Sequence, residues 1–287
     1  MSEPIGIFGL GLIGMALAER LMAGGHAILG SDPDVERTSL LTDLGGQAAA
    51  PAEIWGCKTV LVAVFDTDQL ADLVQRAQNN APVQLICFST CDPQRMSEIA
   101  AQGLSRNITL VEAPISGTSK QLASGDAILL IGSDQPVADE LTPLFDALSR
   151  AHYPVGALGN GNRAKLAINL ILGLNRAALA EGLVFAEALG LEPHAFLQLA
   201  QQSAAASAVM KTKGPLMVER SFSPQGRISQ SKKDFGLIRD AAESQGQGLP
   251  FAETYLAMME DCFAHGESGY DNSAIINALA RAKLDKN

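Results

Sequence analysis

The run GIFGLGLIGMALAERL near the start of the chain constrains the fold most. It reads as a short apolar strand (IGIFGL, 5–10), then Gly9-x-Gly11-x-x-Gly14, then a helix over 13–25 that closes on glycines. Three glycines at this spacing carry meaning only where a strand turns directly into a helix, and that context is present here. Gly9 permits the tight turn, Gly11 lets the backbone approach a pyrophosphate on the helix N-terminus, and Gly14 allows close helix–strand packing. Leu10, Leu12 and Ile13 complete the loop. The structural alternative is a glycine-rich turn with no ligand.

The same strand–helix alternation continues. AILGSD reads as a second strand, DVERTSLLTDLGG as a second helix, and TVLVAV (59–64) as the most strand-like run in the chain. Helix TDQLADLVQRAQ, strand VQLICF, helix DPQRMSEIAAQG and strand ITLVEA follow, then DAILLIG, QPVADELTPLFDALS and AHYPVG. Continuous apolar strands separated by helices predict a mostly parallel sheet covered on both faces. The expectation is an α/β Rossmann-type domain over residues 1–158. Asp32 ends the second strand eighteen residues after Gly14, near the spacing of the acid that binds an adenosine ribose. A carboxylate there repels a 2′-phosphate, and the next residue is Pro33, not an arginine. Both features favour NAD over NADP. Asp32 or Asp34 can also cap the helix beginning near Val35.

After residue 158 the strand signals stop. Helical patterns cover about 161–190, 193–205, 231–245, 250–265 and 273–284, with SFSPQGRISQ (221–230) as a loop. The expectation is an all-α domain over 159–287, led by a long interdomain helix and joined without a flexible linker. That leading segment is apolar nearly all round, which predicts burial. Yet Lys165 and Asn169 enter it four residues apart, on one helical face. Arg163, Asn162 and the glycines of GNGNRAKLAIN (159–169) surround them.

Bulk properties narrow the function. The 287 residues are 47% hydrophobic, enough for a substantial core, and carry a formal net charge of −10, which argues against nucleic acid or an anionic membrane as the main partner. The segment LAINLILGLNRAALAEGLVF comes nearest to a bilayer span, but Asn169, Asn175, Arg176 and Glu181 interrupt it. Cys57, Cys87, Cys91 and Cys262 follow no metal-ligand spacing and read as reduced thiols of a cytoplasmic protein, with no leader at the N-terminus. No metal is expected.

Five ordered segments then carry a resemblance. They are GLGLIGMALAERL, FSTCDP (88–93), EAPISGTSKQLASG (112–125), GNGNRAKLAIN and KDFGLIRDAA (233–242). Together the chain resembles the β-hydroxyacid dehydrogenase family, which includes 3-hydroxyisobutyrate dehydrogenases and tartronate semialdehyde reductases. The resemblance implies Lys165 as the catalytic lysine. It implies Ser116, Gly117, Thr118 and Asn169 as substrate ligands, with Thr118 standing where the family has a second glycine. Thr90 and Lys233 become contacts near the nicotinamide, and Val64 and Phe65 flank the adenosine side. It also implies a homodimer or homotetramer.

Elementary chemistry agrees about the lysine. Oxidising an alcohol removes a hydride from carbon and a proton from oxygen, and no Cys/His pattern is present to hold a zinc that would acidify the hydroxyl. A side chain must take the proton, and a partly buried lysine with a lowered pKa can do so. The reading is NAD-dependent hydride transfer on a short, anionic 3-hydroxy acid. An NADPH-dependent reductase of small aldehydes or imines and a non-catalytic nucleotide-sensing protein stay open as alternatives.

Overall fold

The computed structural model describes residues 3–78 and 81–282. The chain forms two compact units, Met1–Lys165 and Leu166–Asn287.

In the first unit the elements run β1 (Ile5–Phe8), α1 (Leu12–Ala23), β2 (Ile28–Ser31), α2 (Val35–Asp43), β3 (Gln47–Ala48), α3 (Pro51–Ile54), β4 (Thr59–Val62) and α4 (Thr67–Gln75). Then come β5 (Val83–Cys87), α5 (Met96–Leu104), β6 (Ile108–Glu112), β7 (Ile115–Ser116), α6 (Ser119–Ala123), β8 (Ile128–Gly132), α7 (Gln135–Leu148) and β9 (Ala151–Gly156). Among the described residues they build a nine-stranded sheet, ordered β3-β2-β1-β4-β5-β6-β8-β7, with β9 on β8. The pairs from β3 to β6 are parallel; β8 meets β6 and β7 antiparallel and β9 parallel. The mostly parallel, doubly covered sheet read from the sequence is therefore present. Ile7, Leu61 and Ile86 are wholly buried in a core shared with α1 and α7; Val60, Leu85 and Cys87 point the other way, into a second core with α4 and α5. Each such aliphatic side chain contributes about 1.5–3 kcal/mol by leaving water.

The differences lie in short pieces. The elements β3, α3, β7 and α6 span two to five residues each, too few to show a period. Helix α5 begins at Met96, later than DPQRMSEIAAQG suggests, because Asp92 accepts from the backbone of Gln94 and holds a turn there.

Helix α8 (Asn160–Ala188) runs for 29 residues. The second unit adds α9 (Pro193–Gln202), α10 (Ala208–Thr212), α11 (Gly214–Val218), α12 (Ile228–Glu243), α13 (Pro250–Ala264), a 3-10 turn (Asn272–Ala274) and α14 (Ile275–Arg281). It is all-helical among the described residues, as expected, although α10 and α11 escaped the periodicity and α12 starts three residues before 231. Gly173 lets Phe235 and Tyr255 close on α8: an added Cβ would sit 3.1 Å from Tyr255 Cε1. Those two rings meet edge to face at 4.7 Å.

Two expectations about α8 need correction. Helix α8 is not buried all round, since Leu179, Ala180 and Leu183 are buried but Ile171 and Phe185 stay more than 60% exposed. By length and composition alone it also passes as a bilayer span, polar interruptions notwithstanding. Yet Arg176 within it is buried and donates to Tyr255 Oη at 2.9 Å, which makes α8 a packed helix of this unit.

Candidate active site

Parallel strands deliver their carboxyl ends to one edge of a sheet, and ligands of open α/β sheets bind at that edge where the strand order reverses. Here the reversal falls between β1 and β4. The glycine loop leaves β1 at this point. Gly9 adopts φ +83°, and a Cβ there would stand 2.5 Å from Ala63 O. A Cβ on Gly14 would overlap the carbonyl oxygen of Gly9. Above Gly11 the space is open: an added Cβ would meet nothing nearer than Arg37 Nη1 at 4.0 Å. No side chain caps α1 and no acid occupies its first turn. The amides of Leu12 and Ile13 thus open a helix whose N-terminus attracts anions. This cradle fits a dinucleotide pyrophosphate.

Asp32, one residue beyond β2, accepts from Leu10 N at 2.7 Å and from Asp34 N at 2.9 Å. Asp34 caps α2 by accepting from Glu36 N, which leaves the Asp32 carboxylate to the loop. The sequence reading missed Arg37. Its Nη1 lies 3.3 Å from Asp32 Oδ2, and its Nε lies 3.3 Å from Asp34 Oδ2. Position 33, next to the acid in sequence, is proline; one turn into α2 the helical repeat returns residue 37 to the same acid.

Beyond β4, Val64 O accepts from Ser89 Oγ at 2.8 Å, and Phe65 N donates to Gln69 Oε1 at 2.9 Å. Beyond β5, Thr90 and Cys91 are buried. All four cysteines are free and buried, and the Cys87 thiol is pushed well above its ordinary value by its hydrogen bond to Cys91 and by burial. Ser116 closes β7. Gly117, at φ +151°, leads to Thr118, which caps α6. Thr118 Oγ1 accepts from Gln121 N at 3.2 Å while Thr118 N donates to Gln121 Oε1 at 2.9 Å. The hydroxyl assigned to substrate thus also has a capping task.

At the end of β6 lies a residue that nothing in the sequence pattern singles out. Glu112 is fully buried and accepts from the backbone of Gly159, and from both the side-chain amide and the backbone of Asn162. Gly159 (φ +92°) and Gly161 open α8 against it. Burial raises the Glu112 pKa, and the N–H donors of Asn162, Gly159 and Gly161 only partly oppose it. Asn162 Oδ1 in turn accepts from Cys91 N at 2.7 Å. Lys165, one turn further along α8, is buried.

In the second unit Asn169 Nδ2 donates to Asp234 Oδ2 at 2.9 Å, and Lys233 Nζ lies 2.9 Å from Asp234 Oδ1. Asp234 therefore joins Asn169 and Lys233, two residues to which the resemblance gives site roles. The Lys-Asp pair of KDFGLIRDAA was the available signal.

Comparison with known proteins agrees with this architecture. Residues 4–157 match the model described as the NAD binding domain of 6-phosphogluconate dehydrogenase. Residues 159–279 match the model described as NAD-binding of NADP-dependent 3-hydroxyisobutyrate dehydrogenase. The chain is 27% identical to the chloroplastic glyoxylate/succinic semialdehyde reductase 2 of Arabidopsis thaliana, over 97% of this chain and 80% of that one. It is 26% identical to the 2-hydroxy-3-oxopropionate reductase of Escherichia coli, over 96% of each. The crystal structure of 3-hydroxyisobutyrate dehydrogenase from Salmonella typhimurium superposes with a TM-score of 0.86 at 25% identity, over 96% of this chain and 99% of that one. The chain belongs to the β-hydroxyacid dehydrogenase family of NAD(P)-dependent oxidoreductases.

Proposed function

We propose that the protein transfers hydride between a short 3-hydroxy acid, or the matching semialdehyde, and a nicotinamide coenzyme, with Lys165 as general acid and base. One observation carries this reading. The first turn of α8, which leads into Lys165, is hydrogen-bonded through Asn162 to the carboxyl-terminal edge of the sheet, at Cys91 and Glu112, the edge that also holds the glycine loop. The coenzyme, when bound, supplies the hydride acceptor or donor. In oxidation the neutral Lys165 amine takes the hydroxyl proton as the C–H hydride departs; in reduction its ammonium gives that proton back to the carbonyl oxygen. Asn169 binds a substrate oxygen through the amide oxygen and hydrogens that Asp234 does not occupy. Ser116, Gly117 and Thr118 hold the substrate carboxylate, and Thr90 and Lys233 bound the nicotinamide.

NAD is the favoured coenzyme, on the Asp32 carboxylate. Arg37 favours a second reading, because released from Asp32 and Asp34 its guanidinium suits a 2′-phosphate. The proposed setting is cytoplasmic, with neither nucleic acid nor membrane as partner. The exposed Ile171 and Phe185 on α8 support burial against a second copy, in a homodimer or homotetramer.

The test is a panel of glyoxylate, succinic semialdehyde, 2-hydroxy-3-oxopropionate, 3-hydroxyisobutyrate and four-carbon hydroxy acids, each with NAD(H) and NADP(H). Turnover of at least one is expected in the wild type. Lys165→Ala is expected to abolish it while coenzyme still binds. Turnover that survives Lys165→Ala refutes the assignment.

A further inference from the structure

We infer that Glu112 and Asn162 are positioning residues for the proton-transfer lysine. They form a buried relay that fixes the Lys165 turn of α8 against the Thr90 segment. The inference rests on the role proposed for Lys165.

The relay has three bonded links, all in the first unit. Cys91 N donates to Asn162 Oδ1 at 2.7 Å, which ties the residue after Thr90 to α8 across 71 positions of sequence. Asn162 Nδ2 donates to Glu112 Oε1, and Gly159 N donates to Glu112 Oε2. Asn162 and Glu112 are each 0% exposed. An amide has one acceptor and one donor end, and here each end is used on a different strand terminus. Lys165 follows Asn162 by three residues, so it is carried by the turn these bonds hold.

The surrounding glycines make room for the relay. A Cβ on Gly161 would stand 2.9 Å from Glu112 Cβ and 3.0 Å from Leu130 O. A Cβ on Gly132, which pairs with Glu112 across β6 and β8, would overlap the Glu112 carboxylate. Its partners on Gly159 and Asn162 are N–H donors, so the ionised form is the one these bonds satisfy. The N–H groups of Gly159, Gly161 and Asn162 at the start of α8 face the carboxylate and partly compensate its burial.

The direction of each bond supplies the test. Glu112→Gln replaces one of two accepting oxygens with an N–H donor, so the Gly159 or the Asn162 N–H loses its acceptor. Asn162→Asp sets a carboxylate against a carboxylate. The double variant reverses the central bond, with the residue-112 amide donating to the residue-162 carboxylate, and keeps an acceptor for Cys91 N. Each single variant is expected to lose about 100-fold in kcat, the scale of a small misplacement of reacting groups. Coenzyme affinity, read from quenching of NADH fluorescence, is expected to hold. The double variant is expected to recover most of the lost kcat. Hydrogen exchange of peptides covering 88–94 and 157–166 is expected to quicken in the singles and slow again in the double.

Single variants that keep kcat overturn the inference. If a single variant fails to fold, the double decides: no recovery of folding or turnover overturns it. A wild type inactive on the whole panel tells against the proposed function alone. Exchange rates then decide the relay, and unchanged protection in the singles overturns it.

Discussion

Among the described residues each unit of the molecule buries one carboxylate completely, and the two are held in different ways. Glu112, in the sheet unit, collects the Asn162 amide and backbone N–H groups at the start of a helix. Asp271, in the helical unit, has a cation: Lys213 Nζ lies 2.9 and 2.8 Å from its two oxygens. Asp271 also accepts from Gln225 N, Gly226 N, Ser273 N and Ser273 Oγ. Burial alone would raise both acids. At Asp271 the Lys213 ammonium and the Gln225 and Ser273 donors outweigh it and hold the carboxyl below its usual range, whereas Glu112 stays above its own. The contrast separates two tasks. An ion pair clamps loops whatever the helices do. A carboxylate compensated by helix amides is satisfied only when that helix is wound and in register, which suits a residue that positions.

The largest effect that breaks this contrast is expected from Lys213→Met. It strands a fully buried carboxylate, at a cost of about 3–5 kcal/mol, read as a lowered urea midpoint. Adding Asp271→Asn removes the charge and recovers part of that loss; an unchanged midpoint in the single variant would make the pair irrelevant to stability. Gly161→Ala comes next. Its Cβ must push Glu112 or β8 aside, for about 1–3 kcal/mol of overpacking together with a fall in kcat. Normal kcat in this variant would show that the α8 start tolerates displacement.

A smaller effect sharpens the comparison through pH. The folded-state pKa of Asp271 lies below its unfolded value, so its stabilisation is full above the ordinary aspartate range and is lost as pH falls through and below it. For Glu112 the folded value is raised, so its contribution is full below the ordinary glutamate value and declines as pH rises to the folded one. Wild type is therefore expected to lose ground to Asp271→Asn on acidification but to gain on Glu112→Gln. Each pKa unit of difference corresponds to about 1.4 kcal/mol. Denaturant titrations at several pH values would reveal the opposite slopes; parallel slopes would refute the distinction. The smallest effect is expected at Arg37, whose side chain is 39% exposed beside Asp32. Arg37→Gln should change stability by less than about 1 kcal/mol, so a selective loss of NADP affinity would assign it to the 2′-phosphate. Equal effects on both coenzymes would refute that role.

The sequence made the main elements plain, because β1, β4 and β5 are continuous apolar runs between helical patterns, and α8 and α13 are long enough to read as helices. It made the glycine loop plain because three glycines at fixed spacing have a backbone reason. It hid what depends on distant partners. Nothing near Glu112 in sequence announces residues 159–162, and nothing at Lys213 announces Asp271. Arg37 was hidden more thinly: it lies five residues from Asp32, and only winding α2 brings it back.

Because α8 is one uninterrupted helix, spacing along it is also angular phase. Each residue turns the chain by about 100° and advances it about 1.5 Å. Asn162, Lys165 and Asn169 are thus set by counting as much as by chemistry. The exposed side chains between them, Arg163 and Ala167, are exchangeable in principle, but one inserted or deleted residue would swing the ammonium about a quarter-turn away from the anchor at Glu112. The stretch from 159 to 169 should therefore accept substitutions at its free positions and no change in length.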